Sequence, residues 1–252
     1  MESLSFLSIN DQPIAIDQAI KYLQASGKLS QFIGEILRQY VIEQEVKTRA
    51  DIYINPAVTE QAIIDFRLQN QLTDPQVFQE WLKKNGNDYA TFHGAVALSF
   101  QLEKLKTVLT EAKLAEYFIE RKIYLDRVVI SRILVDNLEL AEELQTQIEE
   151  GGSFEQLARE YSLTDDRLVN GMMGPISRGT MPDTLRSAVD AAHPGQLIGP
   201  IELENRYGLF RVEQYLPASL EDTQLKQALQ NELFEKWLAE KIQKLTVKLQ
   251  AK

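Results

Sequence analysis

The sequence predicts an α+β fold, in which residues 126–216 carry a small antiparallel sheet and are inserted in a helical unit made of residues 1–125 and 217–252. Three observations carry this prediction. The hydrophobic period changes from helical to strand-like at Arg127, where Val128 to Val135 is a β-branched, apolar run. Asn170 to Pro182 holds three glycines, two prolines and three methionines, flanked by two helical and two strand patterns. On either side of this segment, apolar residues recur at spacings of three and four.

Residues 4–16 read as an extended lead-in with a turn at Asn10-Asp11-Gln12-Pro13. A helix follows from Asp17, with Ile20 and Leu23 on one side, and Gly27 ends it. The next starts near Ser30 and carries Phe32, Ile33, Ile36, Leu37, Tyr40 and Val41. Asp51 to Ile54 reads as a short extended piece, and Thr59 as the cap of a helix with Ile63, Ile64, Phe66 and Leu68. Thr73-Asp74-Pro75-Gln76 reads as a helix start with Thr73 as cap, and Asn85-Gly86 as its end. Two further helices are expected over Tyr89–Leu109 and Glu111–Tyr124. His93 lies at a helix start without evident acidic or histidine partners, which makes it a structural residue.

Within the central segment, Asn137 caps a helix lined by Leu140, Leu144 and Ile148 and stopped by Gly151-Gly152. Ser153 and Gln156 form a capping box for a short helix with Phe154, Leu157 and Tyr161. An acidic turn at Thr164-Asp165-Asp166 leads to the glycine–methionine stretch, read as a surface loop beside the sheet. Leu185, Ala188 and Val189 mark another helix, and Leu197–Leu203 and Gly208–Tyr215 two strands. Ser219 and Asp222 open a long amphipathic helix from Leu225 to Leu245, expected to pack back on the N-terminal helices.

Composition narrows the function classes. With 27 basic and 37 acidic residues the net charge is −10, which disfavours phosphate contacts and a nucleic-acid partner. The absence of cysteine rules out disulfides, thiolate catalysis and thiolate metal sites. Two histidines, His93 and His193, do not make a histidine metal centre, and no metal or cofactor is expected. No apolar run approaches the ~20 residues that span a bilayer. The acidic Glu2 and the lack of a basic, apolar leader give a cytoplasmic expectation.

The central segment resembles a parvulin-type (FKBP-like) peptidyl-prolyl isomerase domain. The resemblance lies in Ile130–Val135, Gly151-Gly152-Ser153-Phe154, Leu157–Ser162, Asn170-Gly171, Gly174–Met181, Pro194-Gly195-Gln196 and Tyr207–Glu213, in that order and spacing. The flanks resemble the helical part of parvulin-bearing foldases and secretion chaperones. Such a domain implies a groove for extended or proline-containing unfolded polypeptide. The X–Pro amide resists rotation with a barrier of ~20 kcal/mol. A site lowers that barrier by binding the twisted bond better than either planar form, without a cofactor. By the same resemblance, Met181 and Leu185 match the proline pocket, Ile176 an apolar position after the glycine loop, and Thr164 a hydrogen-bonding position beside the bond. Met173, with Met172, adds adaptable apolar surface for an extended ligand.

The match also shows departures. Two family histidine positions are Arg132 and Gly208, an aspartate position is Met172 and a pocket phenylalanine is Asp190. Three readings follow. The domain is a peptide-binding foldase–chaperone module with a degenerate site. Alternatively it is an active isomerase, with Arg132 orienting a peptide carbonyl and Thr164 supplying a hydrogen bond as catalytic residues. In the third reading the chain is a non-enzymatic adaptor for one folded partner. Arg178 is expected in a conformational or salt-bridging role. Nothing in the sequence sets the oligomeric state.

Overall fold

The computed structural model describes residues 5–249; the start of the expected lead-in at Leu4 and the outer ends of the helical unit, 1–4 and 250–252, lie outside them. The lead-in is a hairpin of β1 (Ser5–Ile9) and β2 (Gln12–Ala15). Asn10 and Asp11 both have positive φ, the conformation of a two-residue turn whose twist matches its strands. Then come α1 (Ile16–Ala25) and α2 (Leu29–Thr48), separated at Gly27, where φ is +70°. The expected extended piece at Asp51 is a 3₁₀ turn, Ala50–Ile52, because Ile52 turns inward and is buried.

Helix α3 (Pro56–Gln69) is capped by Asn55, whose side chain accepts from the Ala57 N–H. Thr59, the expected cap, lies buried inside the helix. Helix α4 (Pro75–Lys84) is capped one residue later than expected, by Asp74, which accepts from the Gln76 and Val77 N–H groups. The two helices expected between Tyr89 and Tyr124 are one, α5 (Tyr89–Leu125). No glycine or proline interrupts the stretch around residue 110, and the buried Thr110 hydroxyl donates to the Lys106 carbonyl at 2.8 Å. His93 does have an acidic partner: its Nε2 lies 3.3 Å from Glu60 of α3, which the sequence placed 33 positions away.

The second part begins with β3 (Arg127–Val135), followed by α6 (Leu138–Glu149) and α7 (Phe154–Tyr161). Then come β4 (Met172–Ser177), α8 (Asp183–Ala191), β5 (Leu197–Leu203) and β6 (Arg206–Leu216). The strands form an antiparallel sheet in the order β4-β3-β6-β5. Asn137 and Ser153 cap α6 and α7 as expected. Gln156 turns to Glu160 instead of back to the cap, so only half of the capping box forms. The apolar run in β3 sits at the centre, paired along its whole length with β6, Arg127 opposite Leu216 and Val135 opposite Tyr207. Val128 and Ile130 face α8 and pack with Leu185, Val189, Phe210 and Val212. Ile133 and Val135 face the other way, onto Ala141, Leu144, Phe154 and Leu157.

The glycine–methionine stretch is a correction to the sequence reading. Its first half is not a loop but the edge strand β4, with Met172 opposite Ser131 and Ile176 opposite Val128. Pro175 lacks a donor and is tolerated because the strand has an open edge. Gly171 makes the pairing possible: its carbonyl accepts from the Arg132 N–H at 2.8 Å, and its φ is +78°.

Helix α9 (Thr223–Gln243) is capped by Asp222, which accepts from the Gln224 and Leu225 N–H groups, while Ser219 closes the preceding turn. Its Phe234 and Leu238 share a core with Val41, Ile42, Ile52 and Leu105. A second helical core joins Ile63, Phe78 and Leu82 with Phe66, Trp81 and Phe92. The chain divides into two compact units, Ala115–Gln227 and the residues on either side of it; α5 and α9 both cross that division. Among the described residues no helix is long and apolar enough to cross a membrane.

A Cβ at Gly171 would lie 2.4 Å from the Arg132 carbonyl oxygen, a backbone atom that cannot step aside. Gly171→Ala is therefore expected to lose about 2–4 kcal/mol of stability, combining positive-φ strain with the clash. Urea unfolding would register this; a midpoint equal to wild type would mean that β4 does not need the glycine.

Candidate peptide-binding groove

A groove of about 890 Å³ opens in the Ala115–Gln227 unit, on the β3 face turned towards α8. Its apolar seat is Met181, Leu185 and Phe210, all more than nine-tenths buried. Met173 and Ile176 on β4 form one wall, and Thr180 before α8 and Thr184 in its first turn also line the groove. The rest of the lining includes Arg132 and three charged residues of the β5–β6 hairpin, Glu202, Glu204 and Arg206. Of the residues predicted from sequence, Arg132, Met173, Ile176, Met181 and Leu185 meet at this groove.

Thr164 does not line it. Its hydroxyl donates to Asp166 Oδ1 at 2.5 Å and lies 3.0 Å from the Ser162 hydroxyl. Ser162 in turn accepts from the Leu134 N–H of β3. Asp166, which the sequence reading passed over as part of an acidic turn, is the hinge of this chain of bonds. Its Oδ2 accepts from Arg132 Nε at 2.8 Å. The carboxylate thus fixes the guanidinium through Nε, and among the described residues Nη1 and Nη2 make no further protein hydrogen bond. Thr164 positions Asp166, and Asp166 positions Arg132.

Phe210 was also missed. The signal was available: period-2 alternation from Gly208 puts residue 210 on the same sheet face. The two positions are linked by space. A Cβ at Gly208 would lie 2.6 Å from the Phe210 ring, so this strand carries a large apolar ring beside a glycine where the family pattern has a polar side chain. A side chain at 208 would require the Phe210 ring to shift.

The groove's second wall is held by ion pairs. Arg178, just past β4, bonds to Asp190 of α8 through Nε at 2.8 Å and to Asp126 through Nη1 at 3.2 Å. These bonds raise the Arg178 pKa, the Asp190 bond most, with burial opposing them. Asp190 is the polar substitute for an expected pocket phenylalanine, and here its role is to hold Arg178. Asp126 also accepts from Lys122 Nζ at 2.7 Å and from the Ala218 N–H at 2.9 Å. Burial pushes the Asp126 carboxyl up, but the bonds from Lys122 and Ala218 and the charges of Lys122 and Arg178 outweigh it, so its pKa is lowered. Tyr215 donates to the Val189 and Ala192 carbonyls and ties down the end of α8.

With this geometry in place, comparison with known proteins is informative. Residues 134–214 match the family described as Rotamase: PPIC-type PPIASE domain. Foldase protein PrsA 1 of Listeria innocua is 28% identical over 118 residues, 45% of this chain and 39% of that protein. Chaperone SurA of Burkholderia thailandensis is 36% identical over 70 residues, 28% of this chain and 16% of that protein. The chain thus spans less than half the length of these relatives. A solved structure of PrsA from Bacillus cereus aligns over 100% of this chain and 96% of its own, at 17% identity and a TM-score of 0.47. Residues 134–214 are a parvulin-type domain, and the chain is similar over part of its length to foldases and chaperones that carry one.

Asp126→Asn should cost about 2 kcal/mol, since it leaves Arg178 and Lys122 without their shared charge. The sign with pH follows from the lowered pKa. Stability from Asp126 is present above the ordinary value of 3.8 and is lost as pH falls through the lower folded value. The gap between wild type and variant is expected to be constant near neutrality and to close below about pH 4. Thermal unfolding across pH checks this; a gap that persists at the acid end would assign the effect to packing.

Proposed function

We propose that the chain is a foldase–chaperone that binds extended, proline-containing segments of unfolded polypeptide in this groove. The observation that carries the reading is the buried seat of Met181, Leu185 and Phe210 inside a parvulin-type domain. A proline ring is apolar, rigid and without a backbone donor, so it loses little by entering such a seat. Methionine walls adapt to varied neighbours, which suits a binder of many sequences. The relatives' names, foldase and chaperone, support the same reading.

A second reading, catalysis of prolyl rotation, is favoured by Arg132. Rotation needs no proton transfer, only tighter binding of the twisted amide. A guanidinium anchored by Asp166 at the edge of an apolar seat offers donors to a peptide carbonyl without reorganising. In this reading Thr164 acts at second hand, through Asp166.

Two measurements separate these. Met173→Ala/Ile176→Ala removes half-buried wall surface and is expected to weaken proline-peptide binding about five- to tenfold, with the fold checked by circular dichroism. Unchanged binding would mean the peptide sits elsewhere. In proline-limited refolding, Arg132→Lys keeps the charge beside Asp166 but loses the guanidinium fork. The isomerase reading expects this variant to lose acceleration while binding changes little. Absence of acceleration by wild type would leave the binding function alone.

A further inference from the structure

The first segment of the helical unit has no core of its own. From Phe6 to Tyr40, which covers the β1–β2 hairpin, α1 and the first part of α2, no residue is buried; the first buried residue along the chain is Val41. None of these residues belongs to any of the four buried clusters. Their apolar side chains nevertheless gather on one face. Phe6, Ile9, Ile16, Tyr22 and Phe32, with smaller neighbours, line a cleft of about 520 Å³, and no charged residue among those described lines it. Ile36 and Tyr40 continue the face from Phe32 at a spacing of four along α2. All seven side chains are between 41% and 57% exposed.

A two-stranded hairpin is marginal in water unless its apolar face is covered. The cover has to be present whenever the hairpin and α1 are folded, and an unfolded client supplies it only while bound. A second copy of the chain needs the same cover, and a two-fold contact buries the same face on both partners. The size fits. At half-exposure the seven side chains present about 700 Å² in all, and a stable interface takes about 800 Å² from each partner. The charge fits as well. Asp11, Asp17 and Glu35 are balanced by Lys21, Lys28 and Arg38, so residues 5–40 are neutral in a chain of net charge −10. Two such faces meet without like-charge repulsion between them. They also lack the excess of basic residues with which an amphipathic surface holds an anionic membrane.

We infer that this face joins two copies of the chain in a two-fold symmetric dimer, with the hairpin, α1 and the start of α2 of one copy set against the same elements of the other. The inference is independent of the peptide groove, whose lining residues all lie in the Ala115–Gln227 unit.

Sedimentation equilibrium of the full chain should show a monomer–dimer equilibrium with a dissociation constant of about 10 μM or tighter. Added salt should strengthen it, because salt screens the repulsion between two negative chains and leaves apolar contact intact. Tyr22→Glu and Phe32→Glu each place a charge in the face and should weaken the dimer at least about thirtyfold. Both positions are exposed, so helicity by circular dichroism and proline-peptide binding should stay as in wild type. Should a variant unfold, the wild type still decides, since the unfolding temperature of a dimer rises with protein concentration. A wild type that is monomeric at about 100 μM, with an unfolding temperature independent of concentration, overturns the inference. So does a dimer that both variants keep. A monomer that binds reduced, carboxymethylated lactalbumin and loses it on Tyr22→Glu also overturns it, and assigns the face to unfolded polypeptide.

Discussion

The carboxylate of Asp126 links the first strand of the groove domain to its last and both to the groove wall. It sits one residue before β3 and accepts from Ala218, just beyond β6. It also receives Lys122 from the end of α5 and Arg178 from beyond β4. A buried carboxylate is costly unless paired, so each of these donors is required by the others. From Arg178 the constraint passes to Asp190 and so to α8, which carries Leu185. Gly179 adds a steric term, because a Cβ there would fall 2.3 Å from the Tyr124 ring. The result is that Met181 and Leu185 are presented to the groove by a braced wall rather than a free loop.

The chemistry of the groove follows from what replaced the expected histidines. One position became Arg132, a permanent cation locked by Asp166. The other became Gly208, and Phe210 occupies the adjoining space. The groove thus has a charged donor on one side and an apolar floor on the other. Seating a proline ring, the role proposed for this groove, needs only surface and shape. Steering the amide through hydrogen bonds now depends on Arg132 alone among the residues proposed to act there.

Much of the fold was legible because local chemistry and tertiary need agree. Asn137 and Ser153 cap the helices they were expected to cap, and the apolar run in β3 became the central strand. The readings that failed did so where distant residues decide. Thr59 looks like a cap but is buried in α3, and Asp51 lies in a 3₁₀ turn set by the burial of Ile52. Glycine and proline content marked Met172–Ser177 as a loop, yet pairing with β3 made it a strand. Composition records the cost of a conformation, and hydrogen bonds from elsewhere in the chain can offset that cost.

The sequence by itself determined the class of domain and placed Met173, Ile176, Met181 and Leu185 in the groove, because these depend on residue type and spacing along the chain. Only the tertiary structure decided what those residues face. It withdrew Thr164 behind Asp166, gave Asp190 to Arg178 and set Phe210 on the groove floor. The physical reason is common to all three. Charge pairing and close packing act through space at a few ångströms, and the partners here are separated by up to tens of positions in sequence.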